Sequence, residues 1–424
     1  MSIRATRRVW GRMNEAMTPK ATIGQNRLQG VDFCRSAAIL IAMFSHSMAT
    51  SGLADLHDSP LLTSVKFLIH FAAPTFIALF GAMLEVAYLS RIRSGQGGAA
   101  VNRLMSRALQ CYLLYALSVL ALFVAGNNTI EGTLRGVALF GYMPYTDILR
   151  FYVYALLLAP LLLALRNRFG LAPLLIAAAL VQLAYPLLKA IPDIPEMRGG
   201  YYLNYIANAL YGAADANQVP SLIHGLSLVV FGMAVGNIAS NWMSGDQARR
   251  RGATRLYATL LAVTGVATAM MWNWTAPSAT VDDLAMGVLR GLNHPLYYSS
   301  AAVGILLAVA LGTYLLDVRK MGFGKPFLFA GRTSLFTFSF GNILLFFIPP
   351  LARNAGEALA IALVLFGLIC LQSWLFDWAK SARPDGAGAP LVSWFQEALR
   401  GMTAVVSRLV NGLARNYSRM LKLA

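Results

Sequence analysis

The chain alternates between long apolar runs and short polar turns along most of its length. A helix that crosses about 30 Å of hydrocarbon needs about 20 apolar residues, and ten runs are long enough. They lie at about 32–51, 66–90, 108–126, 147–165, 171–190, 221–240, 256–275, 296–316, 333–350 and 357–378. The pattern predicts an all-α polytopic membrane protein. Its ten-helix domain at 31–379 lies between a basic tail at 1–30 and a second tail at 380–424.

The composition also indicates a membrane protein, and the distribution of charge predicts its orientation in the membrane. Hydrophobic types make up 57% of the 424 residues and charged types only 12%, whereas soluble domains carry about a quarter charged residues. A soluble enzyme is therefore excluded. The net charge of +17 falls between the apolar runs, so we interpret it as a signal of membrane topology and expect no nucleic-acid partner. If the spans alternate, 27 of the 35 Lys and Arg residues share a side with both tails, which predicts cytoplasmic termini.

The C-terminal tail has its own pattern. Apolar residues recur there at helical spacing, at Trp394, Phe395, Leu399, Met402, Val406, Leu409, Leu413 and Met420. Four arginines lie between them, at Arg400, Arg408, Arg415 and Arg419. This pattern is typical of an amphipathic helix in the interface of an anionic leaflet, so membrane lipids are expected partners. A helix that docks on a partner protein is the alternative.

Ionisable groups inside the apolar runs are the first candidates for chemistry, because charge in hydrocarbon is costly. Arg35 and His46 are 11 residues apart on the first predicted helix, which places them within about 20° of one face and about 16 Å apart along the axis. Asp32 lies within about 40° of the same stripe. On the second helix, Glu85 falls at the depth of Arg35 and is predicted to form a structural ion pair with it. His70 falls near the depth of His46.

Five segments carry a resemblance to a known family. They are RLQGVDFCRSAAILIAMFSH (27–46), FAAPTFIALFGAML (71–84), RLMSRALQCYLLY (103–115), YMPYTDILRFYVYALLLAP (142–160) and GRTSLFTFSF (331–340). In this order they resemble the integral-membrane acyltransferases, which include the acyltransferase-3 group and the OpgC-type succinyltransferases of osmoregulated periplasmic glucans. The hallmark of that family, Arg then ten residues then His on the first helix, matches Arg35 and His46, with Asp32 as the preceding acid.

The resemblance implies an O-acyltransferase of the bacterial inner membrane. Its donor substrate is a cytoplasmic acyl-CoA, succinyl-CoA or acetyl-CoA, with no bound cofactor and no metal, and its acceptor is a hydroxyl of a periplasmic glucan or other extracytoplasmic glycan. Glycan-synthesis proteins are possible partners. His46 is the expected general base, because imidazole exchanges protons near neutral pH.

Other residues take expected roles in the same scheme. Arginines suit the phosphates of the donor, and the candidates are Arg35, Arg91, Arg93, Arg103 and Arg107. The acceptor-side candidates are His70, Asp147 and Arg150. Side chains that could donate to the oxyanion are Ser45, Ser47 and Asn342.

Three alternatives stay open. A proton-coupled transporter or flippase of a glycan or lipid intermediate would use Arg35, Glu85 and His46 as a proton path. A scaffold of an envelope complex would use the C-terminal helix for docking. The aromatic and amide residues of the outer loops at 191–220 and 276–295 fit either glycan contact or an interfacial aromatic belt.

Overall fold

A computed structural model describes residues 28–56, 59–140, 143–192, 202–212, 220–349, 351–382 and 389–423. Every regular element within these ranges is a helix, and they contain no strand. The predicted all-α class is therefore confirmed. Almost all of the predicted basic tail at 1–30, and most of the outer loop at 191–220, fall outside the described residues.

Eleven helices carry the architecture of the described ranges. They are α1 Gln29–Thr50, α2 Pro60–Arg93, α3 Gly97–Val124, α4 Asp147–Phe169, α5 Ala172–Leu183, α6 Leu222–Trp242, α7 Gln247–Met271, α8 Pro295–Val318, α9 Ser334–Phe346, α10 Ala355–Ser381 and α11 Ala389–Met420. Shorter helices at Leu53–Leu56, Ile130–Val137, Tyr185–Lys189, Tyr202–Tyr211, Pro277–Ala285, Val288–Gly291 and Leu328–Arg332 join them.

Seven helices in the described part of the chain are long and apolar enough to cross a membrane: α2, α3, α4, α6, α7, α8 and α10. The protein is thus a polytopic membrane protein. The three other predicted spans correspond to α1, with its polar groups, and to two short helices, α5 with 12 residues and α9 with 13. The count of ten spans stays a prediction.

Several helices extend beyond their predicted apolar runs. α3 begins at Gly97, eleven residues before the predicted span, because the basic segment that precedes it continues the same helix. α7 begins at Gln247, where the Asp246 side chain accepts hydrogen bonds from the backbone N–H groups of Ala248 and Arg249. Hydropathy detects only the part of a helix that lies in hydrocarbon, so it underestimates such helices.

The backbones of α2 and α6 are so close at three glycine positions that a Cβ atom there would collide with the facing helix. A Cβ atom at Gly232 would collide with the backbone of Ala78, and one at Gly236 would press against Ala82. A Cβ at Gly81 would collide with the backbone of Val229. Small residues four apart on both helices permit this contact, which is the usual way that helices associate without a hydrophobic driving force.

α1 lies at the centre of the bundle and packs against α2, α8, α9 and α10. Its first turn is tied to α8, because the Asp317 carboxylate accepts from the backbone N–H groups of Gln29 and Gly30, both at 2.8 Å. These N–H groups have no partner within their own helix, so the buried Asp317 side chain caps it. The cap fixes the entry of the helix that carries Arg35 and His46.

The C-terminal segment forms the predicted helix, α11. The Gln396 side chain donates to the carbonyls of Ala379 and Ala382 at the end of α10. Further along, Ser407 contacts Asn102 of α3 at 3.4 Å, and Ser418 lies against Gly98. These contacts fasten α11 to the first turns of α3.

α11 presents different surfaces to the bundle and to its surroundings. Apolar side chains at Trp394, Met402, Leu409, Leu413 and Met420 are more than 60% exposed in an unpartnered stripe. Val406, predicted to share that stripe, is instead buried against the bundle, because it lies at the edge of the stripe, one turn before the buried Val410. Contact of the stripe with lipid stays a prediction.

Candidate functional site

His46 lies on α1 with a half-buried ring, and one hydrogen bond orients it. Its Nδ1 is 2.7 Å from Oδ1 of Asn342 on α9, and the Asn342 Nδ2 donates to the Tyr145 carbonyl at 3.0 Å. Because only the amide nitrogen can donate to that carbonyl, the amide oxygen is left to accept from His46. Nδ1 therefore carries the hydrogen, and Nε2 carries the lone pair.

Aromatic rings hold the same imidazole in place. The centroid of the Tyr145 ring is 4.7 Å from that of His46, and the centroid of Phe338 is 5.4 Å away. Nε2 has no hydrogen-bond partner among the residues that the structure describes. The result is a fixed imidazole whose basic nitrogen is able to accept a proton from another molecule.

Tyr145 contacts both His46 and Asn342, and the sequence alone did not single it out as a site residue. Its φ of 61° lies in the left-handed region, which side chains other than glycine adopt only when their surroundings hold them there. This turn directly precedes α4 and directs the Tyr145 carbonyl toward Asn342. The segment YMPYTD carries part of the family resemblance, but no sequence signal marks the backbone conformation of Tyr145.

Arg35 faces the same neighbouring helix as His46. Its Nη2 donates to Ser334 Oγ at 2.7 Å, and its Nη1 lies 3.3 Å from the sulfur of Met83 on α2. Ser334 and Asn342 both belong to α9. The predicted shared face of α1 is therefore confirmed, since Arg35 and His46 reach the same helix at two heights.

The segment that precedes α9 packs closely on the N-terminal part of α1. The Gly331 N–H donates to Ser36 Oγ at 2.9 Å, and Ser36 in turn donates to the Asp32 carbonyl at 3.0 Å. A Cβ at Gly331 would collide with Ser36, so only glycine fits there. Asp32 is half-buried and its carboxylate lies within electrostatic range of Arg35. The late GRTSL segment and the opening helix thus build one site.

The predicted donor arginines lie at the adjoining ends of α2 and α3. Arg93, Arg103 and Arg107 are exposed and Arg91 is half-buried. Arg107 lies within electrostatic range of Arg35. A basic surface therefore continues from the end of the bundle toward Arg35, and that arrangement suits a phosphate-bearing donor.

Glu85 does not pair with Arg35, and that prediction was wrong. Its carboxylate binds Arg166 of α4 through two contacts, of 2.9 Å to Nε and 2.6 Å to Nη2, and accepts from Asn237 of α6 at 2.9 Å. Similar depth along two helices does not determine which faces meet. Glu85 follows Gly81 and Ala82 by one turn, so it points with them toward α6, whereas the Met83 side chain points to Arg35.

The acceptor-side candidates do not form one cluster with His46. Asp147 and Arg150 form a buried ion pair with each other at 3.2 Å, and their side chains are less than 10% exposed. His70 lies at a break between two helical segments of α2, stacked on Phe71 at 4.1 Å and near Tyr297 at 5.2 Å. No hydrogen bond or ring contact within the described ranges joins His70 to His46. Their acceptor role stays a prediction.

A second missed residue is Arg290, on the short helix Val288–Gly291 of the outer loop. It lies within electrostatic range of His46, His70 and Asp147. A signal was present, since Arg290 is the single basic residue of the 276–295 loop on the side where basic residues are scarce. Arg290 is therefore a cation near these three side chains, on the side of the protein that is predicted to face outward.

Metal chemistry has no obvious ligand set in the described part of the chain, where no three His, Cys, Asp or Glu side chains form a group that fits a metal ion. Comparison with known proteins adds no identity. Neither a protein-family model nor a curated protein matches this chain. The resemblance to the integral-membrane acyltransferases remains an expectation from the five segments.

Proposed function

We propose that this protein is a membrane O-acyltransferase that moves an acyl group from a cytoplasmic acyl-CoA to a hydroxyl of an extracytoplasmic glycan. The observation that carries the proposal is the orientation of His46 by Asn342, which leaves Nε2 as a base. A half-buried imidazole held in one tautomer by a second helix is the arrangement that general-base catalysis requires. Arg35, about 16 Å away on the same face, supplies a cation toward the donor side.

In the proposed reaction the arginines at the ends of α2 and α3 bind the phosphates of the donor. Arg35 binds the part of the donor that enters the bundle. The thioester then lies beside His46. Nε2 takes the proton from the acceptor hydroxyl as the hydroxyl oxygen bonds to the thioester carbon. The carbon–sulfur bond breaks, and the leaving thiolate receives the same proton from the imidazolium. The products are a glycan ester and free CoA.

Two of the three predicted oxyanion donors are already occupied. The Ser47 hydroxyl donates to the Met43 carbonyl at 2.9 Å, and the Asn342 amide is engaged with His46 and Tyr145. Ser45, one residue from the base and half-buried, is the remaining candidate.

The OpgC-type resemblance favours a succinyl over an acetyl donor, and a periplasmic glucan as the acceptor.

The test compares purified wild-type protein with His46→Ala in lipid nanodiscs that receive succinyl-CoA or acetyl-CoA and a periplasmic glucan. Mass spectrometry reads the ester on the glucan, and a thiol assay reads free CoA. We expect ester with one of the two donors and none from His46→Ala. Ester formation by His46→Ala at the wild-type rate would overturn the proposal.

The same samples separate the transporter alternative. Movement of labelled glycan across vesicles without any thioester would favour a transporter or flippase. One observation argues against that alternative. The predicted proton path needs Glu85 beside Arg35, but the Glu85 carboxylate is bound to Arg166 and Asn237 instead.

A further inference from the structure

A cavity of about 300 Å³ lies between α6, α7 and α8. Its lining is apolar apart from two threonine hydroxyls and the polar edges of three aromatic residues, Trp242, Tyr257 and Tyr314. This volume matches the lower end of the range for small-molecule sites. No part of the site around His46 contributes to it, so it is a separate pocket.

The cavity opens sideways, toward the surroundings of the bundle. α7 forms one of its walls, and no residue in the hydrophobic window of α7 is buried inside the protein. Trp242 and Tyr314 are 38% and 45% exposed at the rim. Tryptophan and tyrosine concentrate where hydrocarbon meets the headgroups, so the rim lies at that level.

Two arginines stand at the mouth of the cavity. The Arg319 guanidinium lies over the ring of the lining residue Tyr314, 5.7 Å from its centroid. Arg250 lies three and four residues before the lining residues Ala253 and Thr254, and so one turn below them on the same face of α7. Arg250 also donates to the Ser244 carbonyl at 2.6 Å, which holds it at the start of the helix.

We propose that this cavity binds one acyl chain of an anionic phospholipid from the leaflet on the predicted cytoplasmic side, with the phosphate between Arg250 and Arg319. An apolar lining suits a hydrocarbon chain, an opening toward the bilayer gives it access, and the two cations at headgroup level select negative charge. A soluble substrate or a polar peptide would leave its polar groups unpaired in the cavity.

The site is connected to the opening helix through α8. Thr313, a lining residue, packs so closely on Gly30 that a Cβ there would collide with its backbone. Four residues later, Asp317 caps α1. A bound lipid therefore supports the part of α8 that positions the start of α1. The proposal concerns binding alone and does not depend on the proposed acyl transfer.

The experiment uses the full chain and native mass spectrometry after exchange into phosphatidylglycerol or phosphatidylcholine. Ala310→Phe fills the cavity from an exposed lining position, and Ala308→Phe is the matched control on the opposite face of α8. We expect the wild type and the control to retain phosphatidylglycerol and Ala310→Phe to lose it. Retention by Ala310→Phe equal to that of the wild type would overturn the site.

Charge selection is tested with the double variant Arg250→Gln and Arg319→Gln, with Arg255→Gln as the control on the far face of α7. Each basic residue near an anionic surface contributes about fivefold, so the double variant should lose about 30-fold of its preference for phosphatidylglycerol. An unchanged preference would contradict the assignment of the phosphate. Glycerol 3-phosphate should not compete, since the acyl chain supplies most of the contact.

The same variants distinguish lipid from protein in the cavity. If Ala310→Phe instead dissociates a dimer and leaves lipid retention unchanged, the occupant is a second copy of the chain and the lipid proposal fails.

Discussion

The orientation of His46 by Asn342 gives the sharpest prediction for the proposed chemistry. Asn342→Leu keeps the volume of the side chain but removes the acceptor of the His46 Nδ1–H. That acceptor, Oδ1 of the fully buried Asn342, lies 2.7 Å from Nδ1. A hydrogen bond of this kind contributes about 1 kcal/mol when both partners are replaced, but removing only the acceptor and leaving the donor unpaired costs about 1–3 kcal/mol. A loss of about 2 kcal/mol in tautomer preference corresponds to about a 30-fold change in the ratio of the two tautomers.

We therefore expect kcat of Asn342→Leu to fall about 30-fold, with little change in KM for the acyl-CoA. Asn342→Asp keeps an acceptor for Nδ1 and should lose less activity than Asn342→Leu. The assay is CoA release in nanodiscs under saturating donor. Ser339→Ala is the control, because Ser339 lies on the same helix as Asn342 and the change removes its buried hydrogen bond to Ser118 of α3 without touching His46.

One result would refute this reasoning. If Asn342→Leu turns over at the wild-type rate while His46→Ala is inactive, the tilted and edge contacts with Tyr145 and Phe338 orient the ring without help from the amide. Equal losses in Asn342→Leu and in Ser339→Ala would likewise show that the effect comes from the packing of α9 and not from the tautomer.

Three further predictions follow from contacts within the bundle. Arg35→Lys keeps the charge but loses the guanidinium fork, so KM for acyl-CoA should rise about tenfold in steady-state kinetics, and an unchanged KM would contradict donor contact. Glu85→Gln leaves Arg166 buried without its partner and should lower the free energy of unfolding by about 3–5 kcal/mol, while the double variant with Arg166→Gln should recover part of the lost thermal midpoint. Gly232→Val should abolish the monodisperse peak in size-exclusion chromatography because the facing backbone of α2 leaves no room, whereas Gly265→Val, in open space on α7, should elute as the wild type.

Much of the architecture was predictable because hydrocarbon imposes a strong local rule. Backbone groups in a bilayer have to be paired within their own helix, so a run of apolar residues is enough to indicate a spanning helix. The same regularity fixed the relation of Arg35 to His46, since 11 residues return to nearly the same face at 100° each. The amphipathic C-terminal helix was predictable for the same reason, although the burial of Val406 was not.

The partners of these residues were decided only by the packing of the helices. Asp317 lies 287 positions from the Gly30 N–H that it caps, and Asn342 lies 296 positions from the imidazole that it orients. Glu85 was assigned to the wrong arginine because the sequence gives depth, whereas the faces that meet depend on close contacts such as that between Gly81 and α6. Periodicity along one helix therefore identified the candidate chemistry, and only the rotation of each helix against its neighbours determined which groups it brings together.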